Sequence, residues 1–192
     1  MKKKILALTL VFALALALGI GGTVAWLTAQ TDSVVNTFTV GDITLSLSET
    51  QSTYKIVPGG KDTKDPKLTV TKGSEKCYVY ACVENNVKLG DTVVATPDID
   101  STKWLSIGTT GNKTVYRYYQ VVDAVNATDD ITLQIFTEVQ YSSQITKNDI
   151  NTLKNKTIVI QGYAHQSEHI NGVDVADNAA KEFFGITATT TP

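Results

Sequence analysis

Ile131-Thr132-Leu133-Gln134-Ile135-Phe136-Thr137-Glu138-Val139 decides the fold class. Ile131, Leu133, Ile135, Thr137 and Val139 recur every second residue, the period of a strand whose side chains alternate between faces. A helix would need apolar residues three and four apart. The same period returns on either side of this stretch. Thr157 to Tyr163 alternates nearly as well, Lys67 to Lys72 carries Leu68 and Val70 on one face, and Cys77, Val79, Ala81 and Val83 share another. Lys103 to Ile107 and the Tyr- and Val-rich Val115 to Val122 are shorter candidates. Tyr54 to Val57 runs into Pro58-Gly59-Gly60, a turn signal. About eight or nine strands with polar turns between them predict an all-β domain, an antiparallel β-sandwich or jelly roll.

Two short helices are expected beside the strands. Thr146 to Lys154 places Ile150 and Leu153 on one side. Val173 to Phe184 has Val173, Ala176, Ala180 and Phe183 at helical spacing, with Asn171 as the cap and Gly185 as the stop. Upstream, Val34, Asn36, Phe38 and Val40 occupy one face of an extended segment. After Gly41-Asp42 the parity changes, and Ile43, Leu45 and Leu47 turn inward while Thr44, Ser46 and Ser48 face out. A slip of one residue reverses every side chain, so Gly41-Asp42 is predicted as a bulge or corner.

The first 27 residues are a different material. Lys2, Lys3 and Lys4 precede Ile5 to Ile20, an uncharged Ala- and Leu-rich run, and Gly19, Gly21 and Gly22 break it. Thr23 and Ala25 are small residues at positions −3 and −1 of a cut before Trp26. A positive head, an apolar middle and a small-residue exit predict a secretory signal peptide over 1–25. Its alternative is a retained anchor, since Ile5 to Leu27 carries no charge and is long enough to span a bilayer. The predicted organisation is a leader over 1–25, an extended arm or first strand over 26–41, a β-sandwich domain over 42–186 and a flexible tail over 187–192.

Of the 192 residues, 42% are hydrophobic and 19% charged, which excludes a disordered polyelectrolyte and a multi-span membrane protein. Removing 1–25 takes away three Lys and no acid, leaving 14 basic and 19 acidic residues, a net of −5. That charge argues against a nucleic-acid partner. Two Cys exclude a disulfide-dense scaffold. On one strand, Cys77 and Cys82 would lie on opposite faces about 16 Å apart, too far to bridge one another.

The stretch Gly21-Gly22-Thr23-Val24-Ala25-Trp26-Leu27-Thr28, followed by Asn36-Thr37-Phe38-Thr39-Val40-Gly41-Asp42-Ile43-Thr44-Leu45, resembles the exported TasA/camelysin-like proteins. Their leader is cut by a dedicated ER-type signal peptidase (the SipW-dependent type). Val57-Pro58-Gly59-Gly60, Cys77-Tyr78-Val79 and Gly162-Tyr163-Ala164-His165-Gln166 match related sequences more loosely. The resemblance implies export from a Gram-positive bacterium, a jelly-roll body and, as in the best-known members, assembly into extracellular biofilm-matrix fibres. The expected location is the extracellular matrix or cell surface, with membrane contact only through an uncleaved leader.

A fibre of such domains can grow when each subunit gives its N-terminal strand to an open sheet edge of the next. Leu27 to Val40 suits that role. Val34, Phe38 and Val40 are the anchors, Gly41 is where the arm leaves its body, and cleavage is the release. Full burial of Phe38 contributes on the order of 1.5–3 kcal/mol. The expected partners are therefore a signal peptidase, further copies of the chain and a matrix polysaccharide. A rival reading is a monomeric glycan adhesin. If Cys77, Val79, Ala81 and Val83 face inward, Tyr78 and Tyr80 form a stripe on the other face, joined by Tyr116, Tyr118 and Tyr119, and sugars stack on such rings. Cross-strand packing or cover by the C-terminal helix is the alternative for that stripe.

His165-Gln166-Ser167-Glu168-His169 fits H-x-x-E-H, an inverted zinc-peptidase motif in which two His bind metal and Glu168 activates water. That chemistry needs both His one turn apart on a helix. His165 instead continues a β-pattern, where residues four apart stand about 13 Å from one another. No G-x-S-x-G, P-loop or dinucleotide fingerprint is present, and the expectation is a non-enzyme without a cofactor. Asp98 and Asp100, or Asp62 and Asp65, lack the spacing of a calcium loop and are expected in polar turns.

Overall fold

The computed structural model describes residues 42–50 and 55–186. The leader with Thr23, Ala25 and Trp26, the arm residues Val34, Phe38, Val40 and Gly41, and the tail over 187–192 lie outside them. The described residues are all-β, with every strand pair antiparallel. The strands are β1 Leu45–Ser48, β2 Lys61–Thr63, β3 Lys67–Val70, β4 Cys77–Asn85, β5 Lys88–Leu89, β6 Thr92–Val93, β7 Ala95–Pro97 and β8 Trp104–Thr110. They continue with β9 Lys113–Tyr118, β10 Ile131–Gln134, β11 Glu138–Tyr141 and β12 Ile158–Gln166, beside helices α1 Asp149–Leu153 and α2 Val173–Phe183.

The stretch predicted as one strand, Ile131 to Val139, is two. β10 pairs with β3 in the order β1-β3-β10, and β11 pairs with β2 in the order β2-β11-β7. The chain turns a corner at Ile135-Phe136-Thr137, where Ile135 and Phe136 are both buried. The facing chain turns at Lys64-Asp65-Pro66. Lys64 N–H donates to the Thr137 carbonyl at 3.0 Å, and Ile135 N–H donates to the Pro66 carbonyl at 3.0 Å. Register carries through the corner without a slip, since Gln134 faces Lys67 before it and Glu138 faces Thr63 after it. The two three-stranded pieces are thus one ladder bent in the middle. Asp98 holds the bend, its carboxylate accepting from Thr137 N–H at 2.7 Å, Thr137 Oγ1 at 2.6 Å and Glu138 N–H at 2.8 Å. Burial pushes this carboxyl up, but the Thr137 hydroxyl and the backbone N–H groups outweigh it and hold Asp98 below the usual carboxylate range.

The four-stranded sheet runs β12-β4-β9-β8. Its one face carries Cys77, Val79, Ala81 and Val83 into a core shared with Leu68 and Val70 of β3, Leu133 of β10 and Val139 of β11. The sheets meet closely at Gly162, where a Cβ would stand 2.3 Å from Leu68 Cδ2 and 3.2 Å from Leu45 Cδ2. Only a residue without a side chain fits there. Trp104 of β8 is buried and donates its indole N–H to the Gln134 carbonyl at 2.8 Å, tying this sheet to the corner. β5 and β6 form a small hairpin about Gly90, whose φ is 59°.

Helix α2 lies over the opposite face of the four-stranded sheet. Ala176 and Ala180, one turn apart and both buried, pack with Tyr80, Cys82 and Val115. Small side chains let the helix approach the strands closely. Two expectations are corrected here. Gly172, not Asn171, occupies the cap position, and no side chain caps the helix. Phe183 is 59% exposed, whereas Phe184 is buried. The helix ends in a Schellman turn, with Gly185 at φ 70°, Gly185 N–H donating to Glu182 O at 3.0 Å and Ile186 N–H to Lys181 O at 2.8 Å. Phe184, its N–H still donating to Ala180 O at 3.0 Å, continues the inward stripe of Ala176 and Ala180 and leaves Phe183 outside, and the turn then brings Ile186 inward. In α1, Leu153 is buried as expected and Ile150 stands at the surface.

Candidate functional site

Tyr78 and Tyr80 point away from the main core, as alternation requires, but they form no exposed stripe. Tyr80 is fully buried beneath α2, and Tyr78 is half-buried beside it. The physical reason is the helix, which needs this face to cover its own apolar side. The Tyr80 hydroxyl donates to Asp177 Oδ1 at 2.9 Å, and Arg117 Nη1 donates to Asp177 Oδ2 at 2.7 Å. Tyr80 and Arg117 are register partners on β4 and β9, so one carboxylate of α2 latches two strands at once. Burial first, then the bond to Asp177, pushes the Tyr80 phenol far above its ordinary range. Tyr116 and Tyr118 pack against the other core cluster, and Tyr119 alone of that group is exposed.

An aromatic patch does reach the surface, with Phe183 exposed and Tyr163 and His165 half-buried, built from residues that alternation did not single out. Phe183 stacks on Tyr163 of β12, with ring centroids 4.7 Å apart and planes 25° apart. His165 lies 6.3 Å from the Tyr163 ring on the same side. Val159, also exposed, continues this face along β12. The signal that could have marked the patch is Phe183-Phe184 at a helix end, where two adjacent rings cannot both face the sheet.

β12 is the edge of its sheet. Its nine residues pair with β4 along their whole length, and among the described residues no strand pairs with its outer side. β8 at the opposite edge, and β1 and β10 at the edges of the bent sheet, are likewise open among the described residues. These rows of unpaired N–H and C=O groups are where an added strand can bond.

His165 sits near the end of β12, its Nδ1 2.8 Å from the Gln166 carbonyl oxygen. His169 lies beyond the strand with φ 61°, and Glu168 pairs with Lys76 at 3.2 Å. The three residues are not on a helix, so the zinc-peptidase arrangement is not formed. Among the described residues no cluster of three or more His, Cys, Asp or Glu could hold a metal ion. Asp65 serves a turn, accepting from Thr50 and pairing with Lys67 at 2.9 Å. Cys77 and Cys82 are free and buried on opposite faces of β4, and burial pushes the Cys77 thiol up to about 11.

A cleft of about 630 Å³ opens between the core-side face of β8 and β9 and the segment from Val93 to Ser101. Val83, Ile99, Trp104 and Tyr116 line its apolar part. Asn85 and Asn112 at its border are committed to structure. Asn85 Nδ2 donates to Ala95 O at 2.7 Å, and Asn112 Nδ2 donates to Asn86 and Glu84. No helix among the described residues is long and apolar enough to cross a membrane. No protein-family model matches the chain, and neither a curated protein nor a solved structure matches it.

Proposed function

We propose that the chain is an exported structural protein, a β-sandwich of jelly-roll type that assembles into extracellular matrix or cell-surface fibres by N-terminal strand exchange. One structural observation carries the reading: a nine-residue edge strand, β12, with no partner on its outer side among the described residues. A long open edge is a template for an incoming strand. The donor is the arm over 26–41, with Val34, Phe38 and Val40 as anchors and leader removal after Ala25 as the release. The leader pattern supports export by a Gram-positive cell, and the all-β body supports the resemblance to the TasA/camelysin-like proteins. Electron microscopy of the mature protein beside the uncleaved form tests the proposal. Filaments are expected only after cleavage, and deleting residues 27–40 abolishes them while the thermal melt of the body persists. Single particles from the mature chain at every concentration would refute it.

The exposed Phe183–Tyr163 stack favours a second reading, a surface module that holds matrix polysaccharide, because sugar faces stack on such rings. Phe183→Ala separates the two, weakening glycan retention and leaving filaments intact. The metallopeptidase reading has no geometric support in the strand-borne His165.

A further inference from the structure

A second cavity, of about 530 Å³, lies between α1 with the turn that follows it, the start of β12, and the core-side face of β11. Its volume falls in the roughly 300–1,000 Å³ range of small-molecule sites. The floor is apolar, formed chiefly by Val139 and Leu153, both buried, while Ile150 is exposed at the mouth. The rim is basic. Lys55, Lys154 and Lys156 all line the cavity, and none of the lining residues is Asp or Glu. These three lysines make no ion pair with any described residue, whereas the buried Lys64 below them pairs with Glu49.

This arrangement runs against the rest of the chain, in which acids outnumber bases. Three cations without an ion-pair partner among the described residues, set above a greasy floor, repel one another, and an anion placed between them relieves that repulsion. A sugar finds little to stack on, since the Tyr141 ring is buried and its hydroxyl donates to Asp62. We propose that this cavity binds an amphiphilic anion, a carboxylate or phosphate ester on a hydrocarbon body, with the body on Val139 and Leu153 and the head among Lys55, Lys154 and Lys156. The site touches β12 only at its first residue, Ile158, and shares no lining residue with the aromatic patch, so its ligand binding can be read whether or not the chain forms fibres.

Displacement of 8-anilinonaphthalene-1-sulfonate from the full chain tests this, with decanoate, decyl phosphate, decanol and inorganic phosphate as competitors. Decanoate and decyl phosphate are expected to displace the dye, decanol weakly and inorganic phosphate not at all. Added salt weakens the two anions. Lys154→Gln/Lys156→Gln removes two exposed charges and raises the apparent Kd for decanoate roughly fivefold, leaving decanol unchanged. Lys72→Gln/Lys181→Gln makes the same change in net charge away from the cavity, just past the end of β3 and on α2, and leaves decanoate binding as it was. Co-sedimentation with phosphatidylglycerol vesicles, lost in the Lys154/Lys156 double variant, assigns the anion to a membrane lipid. Displacement without sedimentation assigns it to a free amphiphile. Equal competition by decanoate and decanol, or an unchanged Kd in a Lys154/Lys156 variant that melts like the parent, overturns the proposal.

Discussion

Gly162→Ala probes a close approach between the two sheets. The added methyl would stand 2.3 Å from Leu68 Cδ2 and 3.2 Å from Leu45 Cδ2. Carbon atoms in favourable contact are about 3.5–4.0 Å apart. The Leu68 tip must therefore retreat by roughly 1.2–1.7 Å, and Leu68 is fully buried with core on every side. The backbone at Gly162 is not in the left-handed region, so the clash is the whole cost. Overpacking of this kind costs about 1–3 kcal/mol, which at about 2–4 °C per kcal/mol lowers Tm by several degrees. Leu68→Ala alone leaves a cavity and costs about 2–5 kcal/mol. Together the two changes should partly cancel, because the methyl added at position 162 enters the space that Leu68 vacates. Urea unfolding of the four proteins measures the coupling, expected at about 1 kcal/mol or more in favour of the double variant. A neutral Gly162→Ala, or strictly additive effects, would refute so close a packing of sheet on sheet.

Other outcomes follow from the same contacts. Asp177→Ala strands the Tyr80 hydroxyl and the Arg117 guanidinium under α2. With the Arg117 and Asp177 side chains only 18% and 13% exposed, it should cost about 3 kcal/mol, and a cycle with Tyr80→Phe should show coupling near 1 kcal/mol. Burial raises Tyr80 and Tyr141 in the folded state, so that state keeps protons which the unfolded chain releases near pH 10. The phenols' contribution is therefore level below about pH 10 and declines above it, by up to about 1.4 kcal/mol per pH unit for each protected phenol, and the raised Cys77 thiol opens the same decline near pH 9. A urea midpoint that stays flat through this range would remove that account. Both cysteines should resist a thiol reagent in the native protein and react together on unfolding, and a native labelling rate equal to that of a free thiol would contradict their burial.

Much of the core was legible from period alone. Leu68, Val70, Cys77, Val79, Ala81, Val83, Leu133 and Val139 all face inward as alternation placed them. The corner at Ile135 to Thr137 was not legible, because inward parity is the same on both of its sides and the pattern reads straight through a change of sheet. The β5–β6 hairpin and β7 are two or three residues each, too short for a period to register. The Tyr78/Tyr80 face was assigned to the correct side of β4, but what covers it comes from residues nearly a hundred positions away, as the Tyr80–Asp177 bond spans 97. Alternation reports direction, not shelter. Phe183 and Phe184 exchanged roles because spacings of three and of four both fit a helix face, and Phe184, its N–H still bonded to the Ala180 carbonyl, extends the four-residue stripe of Ala176 and Ala180.

The bent ladder also sets a timetable. In a polypeptide delivered N-terminus first, by ribosome or by translocon, β1 can close on β3, and β4, β9 and β8 can close together. β2 and β3 must wait for β11 and β10, and the open flank of β4 waits for β12. Until then the interior shared by β3, β4, β10 and β11 cannot close. Ala176 and Ala180 emerge after every strand of the sheet they cover, so Tyr80, Cys82 and Val115 stay wet until α2 arrives.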